Sequence, residues 1–501
     1  MGLKQVTGRS SLEVKKLPQL TVCVLGALAS ALLVAGCTVG PDFRPPALPE
    51  KTAAMAPSVW ASTPDDATNR VTGAAIDESW WSSFNDPVLS SLVQRLVKEN
   101  LDLAAASERV QQAQAARGVA ASAGRPHVGA SIAESHDRIS SAGTANLVSH
   151  PDGAPLEYSD WNAGLSASWE LDLFGKVRRA VEASDAGTDA AIEARRGIAL
   201  DALAELACDY MTLRGYQARE AIIRSNLSTA NHSLSLVQNQ YENGVGNKLD
   251  VARAKVRRDA IAASLPEILT TEQEAINAIG LLLALPPRAL QSELAPVKDL
   301  PLLPPEVPVG LPSELLRRRP DVREAEARLH QATAQAGVAI ASFYPDVSLN
   351  GSVGTEALNF GSLFALPSRA FSIGPTIDLP IFEGGRLRST LKLRKSQQKE
   401  AAIAWQKTVL QAWRDVDNAI TAYGNTQERR KDLVLAVSNA RDALTAAQQR
   451  YEQGSVSFLE IDTAQEALLA NEDALEQTEI TLRAELVALY KALGGGWQVV
   501  G

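Results

Sequence analysis

The chain has 501 residues, a formal net charge of -9 and only 5% aromatic residues. Acidic and basic residues are interspersed without a long basic stretch, which argues against a nucleic-acid partner. Ala, Leu, Gln and Glu dominate long stretches, a composition suited to long helices and coiled coils rather than a thick globular core.

The N-terminus reads as a targeting segment. Lys4, Arg9, Lys15 and Lys16 precede the apolar run TVCVLGALASALLVAG at 21–36. That run is short for a transmembrane helix and rich in small residues, so residues 1–36 are expected to be a signal peptide. It ends in Leu33-Val34-Ala35-Gly36-Cys37, which resembles the bacterial lipobox. There the Cys carries a diacylglycerol thioether and becomes the mature N-terminus; the alternative is an ordinary signal peptide with an incidental Cys. Thr38 stands where Asp would retain a lipoprotein at the inner membrane, so outer-membrane sorting is expected. With Cys23 removed and Cys37 acylated, only Cys208 stays a thiol, and no disulfide can form within one mature chain. Cys208 is expected to be a small buried apolar residue on a helix.

Residues 37–85 are rich in Pro, Ala, Ser and Thr and read as a lipidated tether. Asp86-Pro87 signals a helix start, with Asp as N-cap and Pro at the first helical position, and the helical pattern runs to about Gly124. The period then changes to two. Strands are expected at about 126–135 and 160–173. In the second, Trp161, Ala163, Leu165, Ala167, Trp169, Leu171 and Leu173 share one face, and Asn162, Gly164, Ser166, Ser168, Glu170 and Asp172 the other. This is the pattern of a membrane strand with apolar residues to lipid and polar ones to a lumen, or of a half-buried strand in a soluble sheet.

Residues 176–243 contain no Pro. As one helix they would span on the order of 100 Å. Ile223, Leu227, Ala230, Leu234, Val237 and Tyr241 are spaced 4-3-4-3-4, a coiled-coil seam. The run Tyr241-Glu-Asn-Gly-Val-Gly-Asn-Lys-Leu-Asp250 breaks the helix with a Gly-rich turn, and a second helix follows from about Leu249 into the 280s. Residues 286–312 are Pro-rich and read as an ordered connector or a linker.

The chain then repeats itself. A helix over 313–341 precedes strands at about 345–354 and 370–382, a second Pro-free helix to about Gln453, and further helix to about Leu493. The seam Leu433, Val437, Ala440, Leu444, Ala447 and Tyr451 lies 210 positions after the first. Tyr241-x-x-Gly244 with Leu249-Asp250 becomes Tyr451-x-x-Gly454 with Leu459-Glu460. The expected division is a first repeat at 86–285, a connector at 286–312, a second repeat at 313–493 and a tail at 494–501.

Four strands are too few for a closed membrane barrel, and lipid forbids an open edge. If the strands enter a membrane, several chains must share one barrel: a dimer would give eight strands and a trimer twelve.

The chain resembles the outer-membrane efflux proteins related to TolC and OprM, and especially the NodT-type lipoproteins. The resemblance rests on Cys37-Thr-Val-Gly-Pro-Asp-Phe, Trp169-Glu-Leu-Asp-Leu-Phe-Gly175, Leu311-Pro-Ser-Glu-Leu-Leu-Arg-Arg-Arg-Pro-Asp321 and the two Tyr-x-x-Gly turns. It implies a mainly α fold with membrane β: a homotrimer with a twelve-stranded barrel in outer-membrane lipid, four strands per chain. A periplasmic coiled-coil tunnel with a mixed equatorial domain would continue it. The implied function is the passive exit duct of a tripartite efflux pump for drugs or other small molecules. The implied partners are a periplasmic membrane-fusion adaptor and an inner-membrane transporter of the RND type. Matching the turns places Asp250, Glu460 and Thr463 at the periplasmic aperture, and a basic residue that ties the TolC gate shut falls at Val456. A hydrogen-bonded or apolar closure is therefore expected, and Asp250 and Glu460 could equally be helix-capping carboxylates. Gly244, Val245, Gly454 and Ser455 would form the tip that meets the adaptor.

Nothing points to catalysis. His127, His136, His150, His232 and His330 include no pair at metal-ligand spacing, and no nucleophile or phosphate-loop motif occurs. No metal site and no cofactor beyond the lipid on Cys37 are expected. Two other readings stay open: a lipid-anchored periplasmic hydrolase, and a periplasm-spanning structural coiled-coil lipoprotein that does not conduct.

Overall fold

Helix limits follow the sequence punctuation closely. Asp86 caps α1 (Pro87–Glu99), its carboxylate accepting from the amides of Val88 and Leu89. Asn100 then interrupts the expected single helix. Its Oδ1 accepts from Leu103 N and its Nδ2 donates to Leu282 O, so the chain restarts as α2 (Leu101–Ser122). The strands β2 (His127–Arg138) and β3 (Glu157–Leu171) come next. Then α3 (Lys176–Glu242) and α4 (Lys248–Leu282) make 67- and 35-residue helices. The second half gives α6 (Pro320–Ala341), β5 (Asp346–Ala357), β6 (Arg369–Asp378), α7 (Arg386–Glu452) and α8 (Phe458–Ala492). The last two helices also have 67 and 35 residues, each limit 210 positions after its counterpart.

The structure is a computed structural model that describes residues 38–48, 50, 70–72, 74, 77–140, 157–310, 315 and 317–500. The signal peptide 1–36, Cys37 and most of the expected tether lie outside the described residues.

Other expectations shift too, and β2 and β5 run on to Arg138 and Ala357, past the expected ends at 135 and 354. Strand β3 ends at Leu171 rather than 173, because Asp172 turns to accept from the amides of Val177 and Arg178 at the start of α3. Strand β6 ends at Asp378 rather than 382, just before Leu379-Pro380. The helix expected over 313–341 is interrupted at Arg319: Leu315, Arg317 and Arg318 are helical and α6 follows from Pro320, because the residue before a proline is pushed out of the helical region; the expected start at 313 lies outside the described residues. Within 37–85, the segment Arg70–Thr72 is a strand, β1, and Trp80, Trp81 and Phe84 are buried.

The Pro-rich connector is ordered. It holds a short helix, α5 (Gln291–Leu294), and a strand, β4 (Glu306–Pro308), which pairs in parallel with β1. Its free carbonyls are met by buried donors: Arg214 on Leu294 and Pro296, Gln217 on Leu294, and Arg483 on Pro301. The described part of the expected tail, 494–500, also packs. Trp80 stacks on Tyr490 at 5.1 Å and donates to Gly495 O, while Trp497 lies between Arg196 and Arg323 at 4.6 and 5.6 Å.

Two compact units divide the molecule, and neither coincides with a repeat. One comprises the described parts of Met1–Phe43 and Ala116–Ser184 together with Gln331–Gln398; the other holds Arg44–Ala115, Asp185–His330 and Lys399–Gly501 where described. The first contains the sheet β2-β3-β5-β6, antiparallel throughout. The second contains the main core, with Leu89, Leu92 and Leu96 of α1 packed among Leu203, Leu206, Ile279, Val409, Val416, Leu482 and Leu486. Burying each such side chain contributes about 1.5–3 kcal/mol.

Candidate functional site

The sheet is sorted by face. The register aligns Ala130, Leu165, Val353 and Phe371 across four strands, and beside them Val128, Ala167, Gly351 and Ile373. The intervening rows are small and polar: Gly129, Ser166, Ser352 and Ser372, then His127, Ser168, Asn350 and Gly374. In the single chain the apolar face is open, with Leu165 51%, Val353 58% and Phe371 83% exposed. An apolar face this exposed needs lipid or protein to cover it.

Aromatic residues mark both ends of that face. Trp161 meets Phe360 edge-on at 5.0 Å, and Phe174 stacks on Tyr344 at 4.9 Å. The Trp169 indole donates to Gly124 O. Trp161 and Trp169 lie eight residues apart on β3. That is about 26 Å along the strand, close to the roughly 25 Å apolar band of an outer-membrane wall between its aromatic girdles. No helix among the described residues is long and apolar enough to cross a membrane.

On the polar face Gly164 pairs with Gly354, and a Cβ on Gly354 would lie 2.5 Å from Ala163 O. Only glycine permits this approach. Below it Lys176 bonds Asp346 at 3.0 Å and Glu170 at 3.4 Å, a charged cluster at the sheet's end. The outer edges of β2 and β6 are unpaired among the described residues.

In the second unit both helical turns share one hydrogen-bond scheme. Gly244 N donates to Tyr241 O and Val245 N to Gln240 O; Gly454 N donates to Tyr451 O and Ser455 N to Arg450 O. This is the Schellman ending, with its glycine left-handed: φ is 77° at Gly244 and 70° at Gly454. Val245 is 79% exposed, and Ser455 is exposed with its hydroxyl on Arg450 O.

Asp250 is the third residue of α4 and accepts from Nδ2 of Asn247, whose own Oδ1 caps Asp250 N. Glu460 occupies the same place in α8, exposed, with Ser457 as N-cap but no side-chain cap bond. Thr463 is exposed and bonds back to Leu459 O. Between the turns and the main core the seams close on α4 and α8: Leu234, Val237, Val437 and Leu444 pack with Ala254, Phe458, Ile461 and Leu468.

Arg257 of α4 bridges to Asp462 at 2.9 Å and Glu466 at 2.8 Å on α8, beside Thr463. No local pattern singles out Arg257, because its partners are more than 200 positions away. Asn247 carried a legible signal, an Asn one residue before a helix with a carboxylate three on.

Residues 92–285 and 311–495 match the outer membrane efflux protein family. The chain is 30% identical over 437 residues to Nodulation protein T of Rhizobium leguminosarum bv. viciae, covering 86% of this chain and 85% of that protein. It is 32% identical over 486 residues to outer membrane protein OprJ of Pseudomonas aeruginosa, covering 94% and 96%. The solved outer-membrane channel OprN superposes with a TM-score of 0.82 at 36% identity, over 92% of this chain and all of that one. These likenesses carry the trimeric channel fold, mainly helical with four membrane strands per chain. The chain belongs to the outer membrane efflux protein family and is a non-enzymatic outer-membrane channel component of tripartite efflux pumps, with a periplasmic tunnel.

Proposed function

We propose that three copies of this chain close one twelve-stranded barrel and conduct drugs or other small molecules passively outward. The carrying observation is the sheet: apolar and polar rows in strict register, with both outer edges unpaired. In the order β2-β3-β5-β6 the two edge strands run antiparallel to one another, so β6 of one copy can pair with β2 of the next and remove every edge.

On this reading residues 1–36 are removed and Cys37 carries the lipid. The two repeats, 86–285 and 313–493, each supply two strands and a helical hairpin. A 67-residue helix is about 100 Å long, enough to carry the chain from a membrane strand to a tip deep in the periplasm. The tips at Gly244, Val245, Gly454 and Ser455 would meet a periplasmic adaptor as a quasi-sixfold ring, with an inner-membrane transporter of the RND type choosing the cargo. Asp250, Glu460 and Thr463 would line the narrowing aperture.

The test is a pair of adjacent strand substitutions. Leu165→Arg should lower barrel stability by about 2–4 kcal/mol if it lies near mid-bilayer. Ser166→Arg, on the other face, should fold and change single-channel conductance. Equal tolerance at the two positions in heat-modifiability and conductance assays refutes the barrel.

A further inference from the structure

The first described residues occupy a fitted socket on the sheet-bearing unit. Val39 N donates to Phe174 O at 3.2 Å. At Gly175, where φ is +80°, a Cβ would come within 2.7 Å of Thr38 Cγ2, so Thr38 fills space that only glycine leaves. Gly40, φ +98°, lies against α6 so closely that a Cβ would stand 2.8 Å from Gly337 Cα.

Arg179 holds the segment from the other side. It is 3% exposed and donates to Val39 O and Gly40 O, each at 3.3 Å, and to Asp42 Oδ1 at 2.7 Å. Its fourth acceptor is Glu182 at 2.7 Å. Gly337 makes room for it, since a Cβ there would lie 3.0 Å from Arg179 Cδ. Three of these four acceptors therefore belong to the segment 39–42. Without them the buried guanidinium would keep Glu182 alone and leave most of its donors unmatched.

The socket's location gives it meaning. Phe174, which receives the Val39 amide, stacks on Tyr344, and Gly175 follows it. These lie at the end of the sheet where β3 stops and β5 starts, the aromatic rim of the membrane face. Cys37 is bonded to Thr38, which puts their Cα atoms about 3.8 Å apart.

We propose that Gly175, Arg179 and Gly337 form a docking site for the chain's own segment Thr38–Asp42, which fixes the acyl-bearing Cys37 at the rim of the membrane sheet. The proposal rests on the reading of Cys37 as the lipidated residue. The acyl chains then enter the bilayer beside the barrel at a height set by folded contacts. Arg179 is a positioning residue that acts on the lipid through the peptide.

A nitroxide at Pro41→Cys, in a Cys208→Ser background of the full lipidated protein in phospholipid vesicles, reports the docking. The spectrum should be immobilised. Arg179→Ala should abolish the immobilised component while the mass of the mature N-terminus stays unchanged. Gly40→Val, a change on the segment alone, should release it equally and leave the heat-resistant oligomer intact. A mobile parent spectrum, or one unmoved by both substitutions, overturns the proposal. A non-acylated form, exported on a leader without a lipobox and carrying Cys37→Ala, should remain immobilised; loss of docking there shows that lipid rather than the socket holds the segment, and also overturns it. An unmodified Cys37 in the parent's mass spectrum removes the lipoprotein reading by itself, while the nitroxide spectrum still decides whether the socket exists.

Discussion

The two turns that end the long helices have the same backbone and different supports. Each is a Schellman ending on a left-handed glycine, Gly244 or Gly454. The second is braced from inside: Phe458, 1% exposed, packs among Leu234, Val237 and Leu444 and meets the Tyr451 ring edge-on at 6.0 Å. Its counterpart 210 positions earlier is Lys248, which is exposed, and Tyr241 is 47% exposed where Tyr451 is tucked in and donates to Gln240. The first turn is instead held by polar local bonds, Asn247 with Asp250. Duplication copied the backbone scheme and left each half to find its own means of holding it.

The largest test of this contrast removes the apolar brace. Phe458→Ala should destabilise the second turn by about 3–5 kcal/mol. Lys248→Ala should stay within about 0.5 kcal/mol. Hydrogen exchange of the amides in 445–465 against those in 235–255 reads both. Comparable protection changes from the two substitutions would mean that the turns are supported alike.

Further along the helices the halves diverge again. Glu272 of α4 is only 9% exposed and faces Glu220 of α3, whose carboxylate Arg224 pairs. The counterparts 210 positions later are Leu482, fully buried, and Arg430, paired to Glu479. Burial, with Glu220 adding to it, pushes the Glu272 carboxyl up to about 7. The folded state therefore binds a proton that the unfolded state has released between the ordinary carboxyl value of 4.5 and about 7. Stability from this group is present below that window and falls as pH rises through it. Thermal unfolding should show a decline from pH 5 to 8, and Glu272→Leu, the second half's choice, should flatten it. A slope of the same size in the variant would assign the decline elsewhere.

Long-period features were legible in the sequence, and three-dimensional partnerships were not. The absence of Pro in 176–243 and the Gly-rich turns marked the 67-residue helices closely, because continuity and its interruption are local properties. Alternation picked out the four strands of the sheet β2-β3-β5-β6, since one face of each meets a single environment, but not the three-residue β1 and β4. The end of β3 was overdrawn where Asp172 serves α3 instead of the ladder, and β6 was overdrawn as well, while β2 and β5 were cut three residues short. The Asn100 break was readable as an Asn cap but lay hidden inside a continuous helical pattern. Arg257, Arg179 and Arg214 had no readable role, because the partners that define it lie across large sequence separations, even though Arg179 and Arg214 also bond Glu182 and Gln217 three residues on.

The turn glycines give a smaller, symmetric effect. A Cβ at either Gly244 or Gly454 meets nothing within 4 Å, so Ala adds no clash and only the left-handed backbone objects. Gly244→Ala and Gly454→Ala should each cost about 1–2 kcal/mol. Asn, which tolerates that region, should recover part of the loss. Gly246 breaks the symmetry, because a Cβ there would lie 2.8 Å from Tyr241 N whereas the second half carries Val456 at that place. Gly246→Val should exceed Gly244→Ala in cost, and equal effects in exchange at 240–250 would show that the first turn can open into the second turn's geometry.

The smallest difference bears on the proposed aperture. Asn247 makes a cap bond at 2.9 Å and also holds the Asp250 carboxylate at 2.6 Å, whereas Ser457 makes no side-chain cap bond. Asn247→Ala should therefore lower local stability by about 1 kcal/mol and Ser457→Ala by almost nothing. The same bond keeps Asp250 close to its own helix end, while Glu460 has no such holder among the described contacts. If both carboxylates constrict the pore, Glu460→Ala should raise single-channel conductance more than Asp250→Ala. Asn247→Ala, by freeing Asp250, should change conductance without altering charge. Conductance unchanged in all three variants, with only the stability loss of Asn247→Ala remaining, would reduce Asp250 and Glu460 to helix-end carboxylates complementing the helix dipole and remove them from the gate.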